Sequence, residues 1–114
     1  MKIVKNPIGR EELLQIAKEG FGDLVKAVVD IEQGMMAVGG ELHADEEAEL
    51  VEKHGSKREN IWGINLYPQK PDEEWIEFDS MINLKPAHGN RSRGVDDAKI
   101  QKKIKEVVAK LVPG

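Results

Sequence analysis

The chain has 114 residues, no cysteine and a formal net charge of −4, with 33% charged, 39% hydrophobic and only 4% aromatic residues. Without cysteine it can form no disulfide, thiolate nucleophile, cysteine-ligated zinc site or iron–sulfur site. Its acidic balance, with a pI near 5.4, argues against sequence-independent nucleic-acid binding as a main role.

Ile3 and Val4 predict a short first strand closed by Pro7. Over Arg10–Glu19, the residues Leu13, Leu14, Ile16 and Ala17 share one helical face that Phe21 extends, and Gly20 is placed to end the helix in the left-handed conformation. Residues 24–31 are rich in β-branched side chains, and residues 35–38 follow after Glu32-Gln33-Gly34, so the two runs read as a hairpin. Asp45 suits an N-cap, with a helix running through Ala48, Leu50 and Val51 to Gly55. Residues 61–67 alternate, setting Trp62, Ile64 and Leu66 against Gly63, Asn65 and Tyr67, until Pro68 ends the run and Pro71-Asp72 makes a turn. Residues 75–84 alternate too, with Ile76, Phe78, Ile82 and Leu84 opposed to Glu77, Asp79, Met81 and Asn83, which predicts a second hairpin. Ile100, Ile104, Val107, Val108 and Leu111 recur at helical spacing before Pro113, and Asp96, Asp97 and Lys110 complement the dipole of that helix.

The order β-α-β-β-α-β-β-α predicts an α+β fold, an antiparallel or mixed sheet of about five strands packed on three helices in one globular domain. Trp62, Ile64, Ile76 and Phe78 are expected to face the helices. The other sheet face is expected to be polar but to carry Tyr67 and Met81, so it reads either as solvated or as a subunit contact. With so few aromatics, aliphatic packing must supply the core. The abundance of Lys and Glu beside sparse Gln and Asn resembles a thermophile's composition. The start of the chain lacks the apolar core of a secretory leader and no apolar run reaches membrane length, so a soluble cytoplasmic protein with no membrane partner is the expectation.

Three segments are distinctive together: Gly39-Gly40-Glu41-Leu42-His43-Ala44-Asp45, Trp62-Gly63-Ile64-Asn65, and Ile82-Asn83-Leu84-Lys85-Pro86 running on to Gly89-Asn90-Arg91-Ser92. In this order, and over nearly the whole chain, the sequence resembles a small prokaryotic family catalogued as domain of unknown function 5674. The resemblance implies a stand-alone soluble domain and assigns no activity or catalytic residue.

The diglycine junction offers the first candidate site. Glu41, His43 and Asp45, with Glu46 and Asp30 nearby, have donor types that suit Zn, Mn or Fe. A tight site usually wants a second imidazole, however, and His54 and His88 lie far off in sequence. The alternative has Asp45 as helix cap, Glu46 and Glu47 favouring the dipole, and His43 bonded to a backbone carbonyl. No cofactor is expected, with His43 and Asp45 the only metal candidates. The second candidate is His88-Gly89-Asn90-Arg91-Ser92-Arg93-Gly94, whose arginines, Ser92 and free backbone N–H groups suit a phosphate or carboxylate, or else form a solvated loop with an arginine paired to an acid. Asn65, Asp79 and Asn83 form the third, on one face of the second hairpin beside the space left by Gly63. Ser56, Ser80 and Ser92 lack a nucleophile-elbow context, and His54 reads as an exposed helix-end residue.

Two functional readings follow. The first is a non-catalytic module that binds a small ligand or a protein, or forms a homodimer, through the polar sheet face and the loop over residues 39–45; Asn65, Asn83, Asn90, Arg91, Ser92 and Arg93 are its ligand-binding candidates. The second is a small hydrolase or transferase acting on an anionic substrate. There His43 would be the general base, Asp45 or Glu41 its orienting partner, and Arg91 and Arg93 the anion clamp.

Overall fold

The computed structural model describes residues 1–113, and all structural statements concern those residues. Its strands and α-helices are β1 (Lys2–Val4), α1 (Arg10–Glu19), β2 (Val25–Asp30), β3 (Met35–Val38), α2 (His43–His54), β4 (Ile61–Leu66), β5 (Ile76–Glu77) and α3 (Ala98–Leu111). The strands form one antiparallel sheet in the order β1-β3-β2-β4-β5. This is the α+β architecture that the periodicities predict, with strand pairing now fixed. No helix is long and apolar enough to cross a membrane.

Side-chain alternation sends the two sheet faces to different partners. On one face Val25, Ala27, Val29, Trp62, Ile64 and Leu66 pack with Leu13 and Ala17 of α1 and with Ile104, Val108 and Leu111 of α3. Ile76 and Phe78 join this layer, as their alternation with Glu77 and Asp79 requires. Each large aliphatic side chain fully buried here stabilises the fold by about 1.5–3 kcal/mol. α3 enters through Asp97, whose carboxylate accepts from Lys99 N at 2.8 Å.

The opposite face corrects one expectation. It is neither wet nor open to a second subunit over its length, because α2 lies on it: Leu50 packs with Val28, Met35, Ala37 and Ile61 in a second apolar cluster, joined by Ile3, Val51 and Ile82. Asp30 is buried beside this layer, where it accepts from Ser56 Oγ at 2.6 Å and from both the backbone and the side chain of Gln33.

Three local expectations are also corrected. Gly20 ends α1 with φ −112°, and the left-handed residue is Gly22, φ 96°, whose N–H donates to Ala17 O at 2.6 Å. Phe21 accordingly leaves the apolar face and is 50% exposed. α2 begins at His43 with Leu42 in the cap position, so Asp45 sits inside its first turn. α2 has no side-chain cap; Glu46 instead ties the preceding turn to the helix, its Oε2 accepting from Gly40 N at 3.0 Å after Gly39 reverses the chain at φ 83°.

The third correction matters most for function. The strand expected over residues 75–84 is only Ile76–Glu77; the chain then leaves the sheet edge and folds across β4. Gly63 permits this, because a Cβ there would lie 2.5 Å from both Cβ and Oγ of Ser80. Ser80 caps a 3₁₀ turn, Met81–Asn83, by accepting from Ile82 N at 3.3 Å. Asn83 then donates to Gly63 O at 2.9 Å and accepts from Gly63 N at 2.8 Å, a two-bond pairing that a neighbouring strand would otherwise make. Ile82 therefore packs with the α2 layer and not with Phe78, while Leu84 and Met81 are exposed.

Candidate binding cleft

The register brings Lys26, Asn65 and Glu77 into one row across β2, β4 and β5, on the face that α2 covers. The start of α2 sits above one end of that row, and the segment from Asp79 to Ile82, with Arg93, forms the facing wall. Between them lies a cleft of about 240 Å³. Lys26, His43, Asn65, Asp79 and Arg93 supply its polar lining, and Leu42, Met81 and Ile82 its apolar walls.

His43 is fixed by its backbone contact. Nε2 lies 2.8 Å from Ile64 O, opposite which β5 has already ended. A carbonyl only accepts, so Nε2 carries the proton and Nδ1 of the neutral ring is an acceptor. Burial holds the His43 pKa below its ordinary 6.5, with Lys26 and Arg93 pushing the same way and the Ile64 bond and Asp79 opposing. Nδ1 has no hydrogen bond within the chain.

Asn65 is only 9% exposed. Its Nδ2 donates to Glu77 Oε1 at 2.8 Å, an oxygen that also accepts from Tyr67 Oη at 3.1 Å. That acceptor settles the orientation of the amide, since the flipped form would set two oxygens together. Asn65 Oδ1 is therefore buried and has no partner among the described residues. Leaving such an acceptor unpaired costs about 1–3 kcal/mol.

Arg93 Nε donates to Asp79 Oδ1 at 2.7 Å at the rim, with both side chains about half exposed, so the pair is worth at most about 1 kcal/mol. Its backbone is held more firmly. Arg93 O accepts from Ser80 N and from Asn83 Nδ2, each at 2.9 Å. The facing wall is thus tied to the sheet through Asn83.

The candidate residues are only partly gathered. His43, Asn65 and Arg93 share the cleft, with Asp79 between them in charge. Glu41 and Asp45 are exposed and neither bonds to His43, so the base has no orienting carboxylate; Glu41 faces a neighbouring cleft of about 410 Å³ that Leu42 and Lys26 also wall. Asp30 is at the far end of β2, across the register from Ile61. No three His, Asp or Glu side chains come together in a way that would hold a metal ion. His54 ends α2, and His88 closes a 3₁₀ turn, Pro86–His88, away from the cleft.

The loop before α3 is built from its own polar groups. Asn90 is buried, donating to the carbonyls of Asn83, Ser92 and Gly94 and accepting from Asp96 N. Ser92 Oγ donates to Asp96 Oδ1 at 2.6 Å and Arg91 N donates to Asp96 Oδ2 at 3.0 Å, which together hold the Asp96 carboxyl below its usual range. Asn90 and Ser92 thus spend their hydrogen bonds on the loop, Asn83 spends its own on β4 and on Arg93 O, and none of the three, nor Arg91, lines the cleft with Arg93.

Sequence reasoning missed Lys26. Lys26 is one polar residue in an apolar strand, and only its register with Asn65 shows its place. Glu46, expected beside the His43 cluster or favouring the helix dipole, is fully buried, with Oε1 unpartnered, and burial pushes its pKa up to about 9. No local signal marks it, since its partner Gly40 lies before the helix.

The family model described as "Protein of unknown function (DUF5674)" matches residues 2–111, and the chain belongs to that family. No curated protein matches the chain, and no solved structure does.

Proposed function

We propose, for this member of a family without an assigned activity, that the chain is a small-ligand binding module whose site is the cleft between the start of α2 and residues 79–82. The observation that supports this reading is Asn65, which lines that cleft and whose buried Oδ1 has no hydrogen-bond partner among the described residues. A bound donor would recover the free energy that the fold spends on it. His43 adds a second acceptor on the adjacent wall, and Leu42, Met81 and Ile82 offer apolar surface for the body of the ligand.

The same geometry gives less support to chemistry on an anion. Arg93 is neutralised by Asp79 and Arg91 is absent from the lining, so two guanidinium groups do not converge. His43 is oriented by a carbonyl rather than by Glu41 or Asp45.

A fragment library titrated against isotope-labelled protein tests the reading by NMR. Hits should move the signals of His43, Asn65 and Met81, and Asn65→Leu should weaken them about tenfold by removing the buried acceptor. A library whose hits all fall outside the cleft, or that yields none, overturns it.

A further inference from the structure

Resting on that reading, we infer that the cleft takes an uncharged N–H donor, specifically a primary carboxamide carried on a small apolar body, and not an anion. Two unpartnered groups in the lining are acceptors, and each is fixed as one by a contact behind it. Glu77 holds the N–H₂ side of Asn65, which turns Oδ1 inward. The Ile64 carbonyl holds the protonated nitrogen of His43, which leaves Nδ1 as the lone-pair side. Ile64 and Asn65 are consecutive, so β4 holds the His43 ring and carries Asn65 at adjacent positions. One N–H₂ group carries two protons and can serve both.

Charge points the same way. Of the two cations in the lining, Arg93 donates through Nε to Asp79 at 2.7 Å and Lys26 Nζ lies 5.0 Å from the centroid of the Phe21 ring. An anion placed at the two acceptors would set its oxygens against two lone pairs. A cation would satisfy the acceptors but would sit beside both Lys26 and Arg93. A neutral donor meets neither penalty. The apolar body has its place between Leu42, 55% exposed, and Met81, 62% exposed. Two such exposed side chains on opposite walls supply the area that a ring would cover.

Benzamide, benzoate and benzamidine have one shape and three head groups, so they separate the alternatives on the wild-type protein. Titrations followed by NMR should give benzamide at least about tenfold tighter than either charged analogue, the difference that one well-made hydrogen bond against an unpaired acceptor supplies. N,N-dimethylbenzamide, which keeps the carbonyl but has no N–H, should lose the same factor. His43→Phe removes one acceptor and should narrow the gap between benzamide and its dimethyl analogue. Tighter binding of benzoate or benzamidine at the cleft signals would overturn the inference while leaving the cleft a binding site. If none of the four moves those signals, the inference is overturned; the site itself falls only when the wider fragment library draws nothing there either.

Discussion

Replacing Glu46 with glutamine should make the fold more stable, and increasingly so as the pH rises. The Glu46 carboxyl is fully buried, accepts one bond from Gly40 N at 3.0 Å and has no partner for Oε1. Burial raises its pKa from the ordinary 4.5 to about 9, against the lowering effect of the Gly40 N–H and of Lys26. The folded-state value thus lies above the unfolded one, so the contribution of this group is fully present below pH 4.5 and is lost as the pH rises through about 9. At about 1.4 kcal/mol per pH unit, wild type loses about 3 kcal/mol between pH 4.5 and pH 7 from this group, and about 6 kcal/mol by pH 9. Glu46→Gln keeps an oxygen for Gly40 and places an N–H where the neutral acid has its O–H, with nothing left to titrate. Its second N–H adds an offset that does not vary with pH. Urea unfolding of both proteins at pH 4.5, 7 and 9 isolates the group as the pH-dependent part of their difference. That difference should grow by about 3 kcal/mol from pH 4.5 to pH 7 in favour of the variant. A difference that stays constant across this range refutes the reasoning, because the carboxyl would then not be held neutral by the fold.

His43 should titrate by NMR with a midpoint below 6.5; since its folded pKa is depressed, its contribution to stability is present above pH 6.5 and is lost as the pH falls through the folded value. Gly63→Ala should cost about 1–3 kcal/mol in urea unfolding, because its Cβ would meet Ser80 at 2.5 Å, and Ser80→Gly in the same chain should restore part of the loss; a neutral Gly63→Ala would show that the close approach does not exist. Asn83→Ala removes three buried hydrogen bonds, to Gly63 N, Gly63 O and Arg93 O, and should cost about 3 kcal/mol while abolishing ligand-induced shifts at Met81.

The elements that bury continuous apolar stripes were readable from the chain alone. α3 repeats its aliphatic residues at helical spacing, and Trp62, Ile64 and Leu66 alternate cleanly, so local pattern and tertiary burial agree there. Residues 75–84 alternate just as well, yet only two of them pair in the sheet. What decides their path is a contact between positions far apart in sequence, Gly63 with Ser80 and Asn83, to which periodicity is blind. The cleft shows the same division. Its residue types were recognisable at His43, Asn65, Asp79 and Arg93. That they meet while Glu41 and Asp45 stay away depends on where α2 starts, and Arg91 is held elsewhere by the loop bonds to Asp96.

The wall formed by residues 79–94 is held by two asparagines, with Ile82 its contact to the α2 layer. Met81 and Leu84 look outward, and amide-to-backbone bonds from Asn83 and Asn90 do what side-chain burial does elsewhere. Such a flap has little apolar area to lose on detaching, so it belongs to the first parts of the molecule to breathe, well before the sheet itself comes apart. Amide exchange in this stretch will run ahead of that in β2 and β4, and each opening unroofs the cleft. Entry and exit of a guest can then proceed at the pace of a local hinge, without asking the barrier of global unfolding to fall.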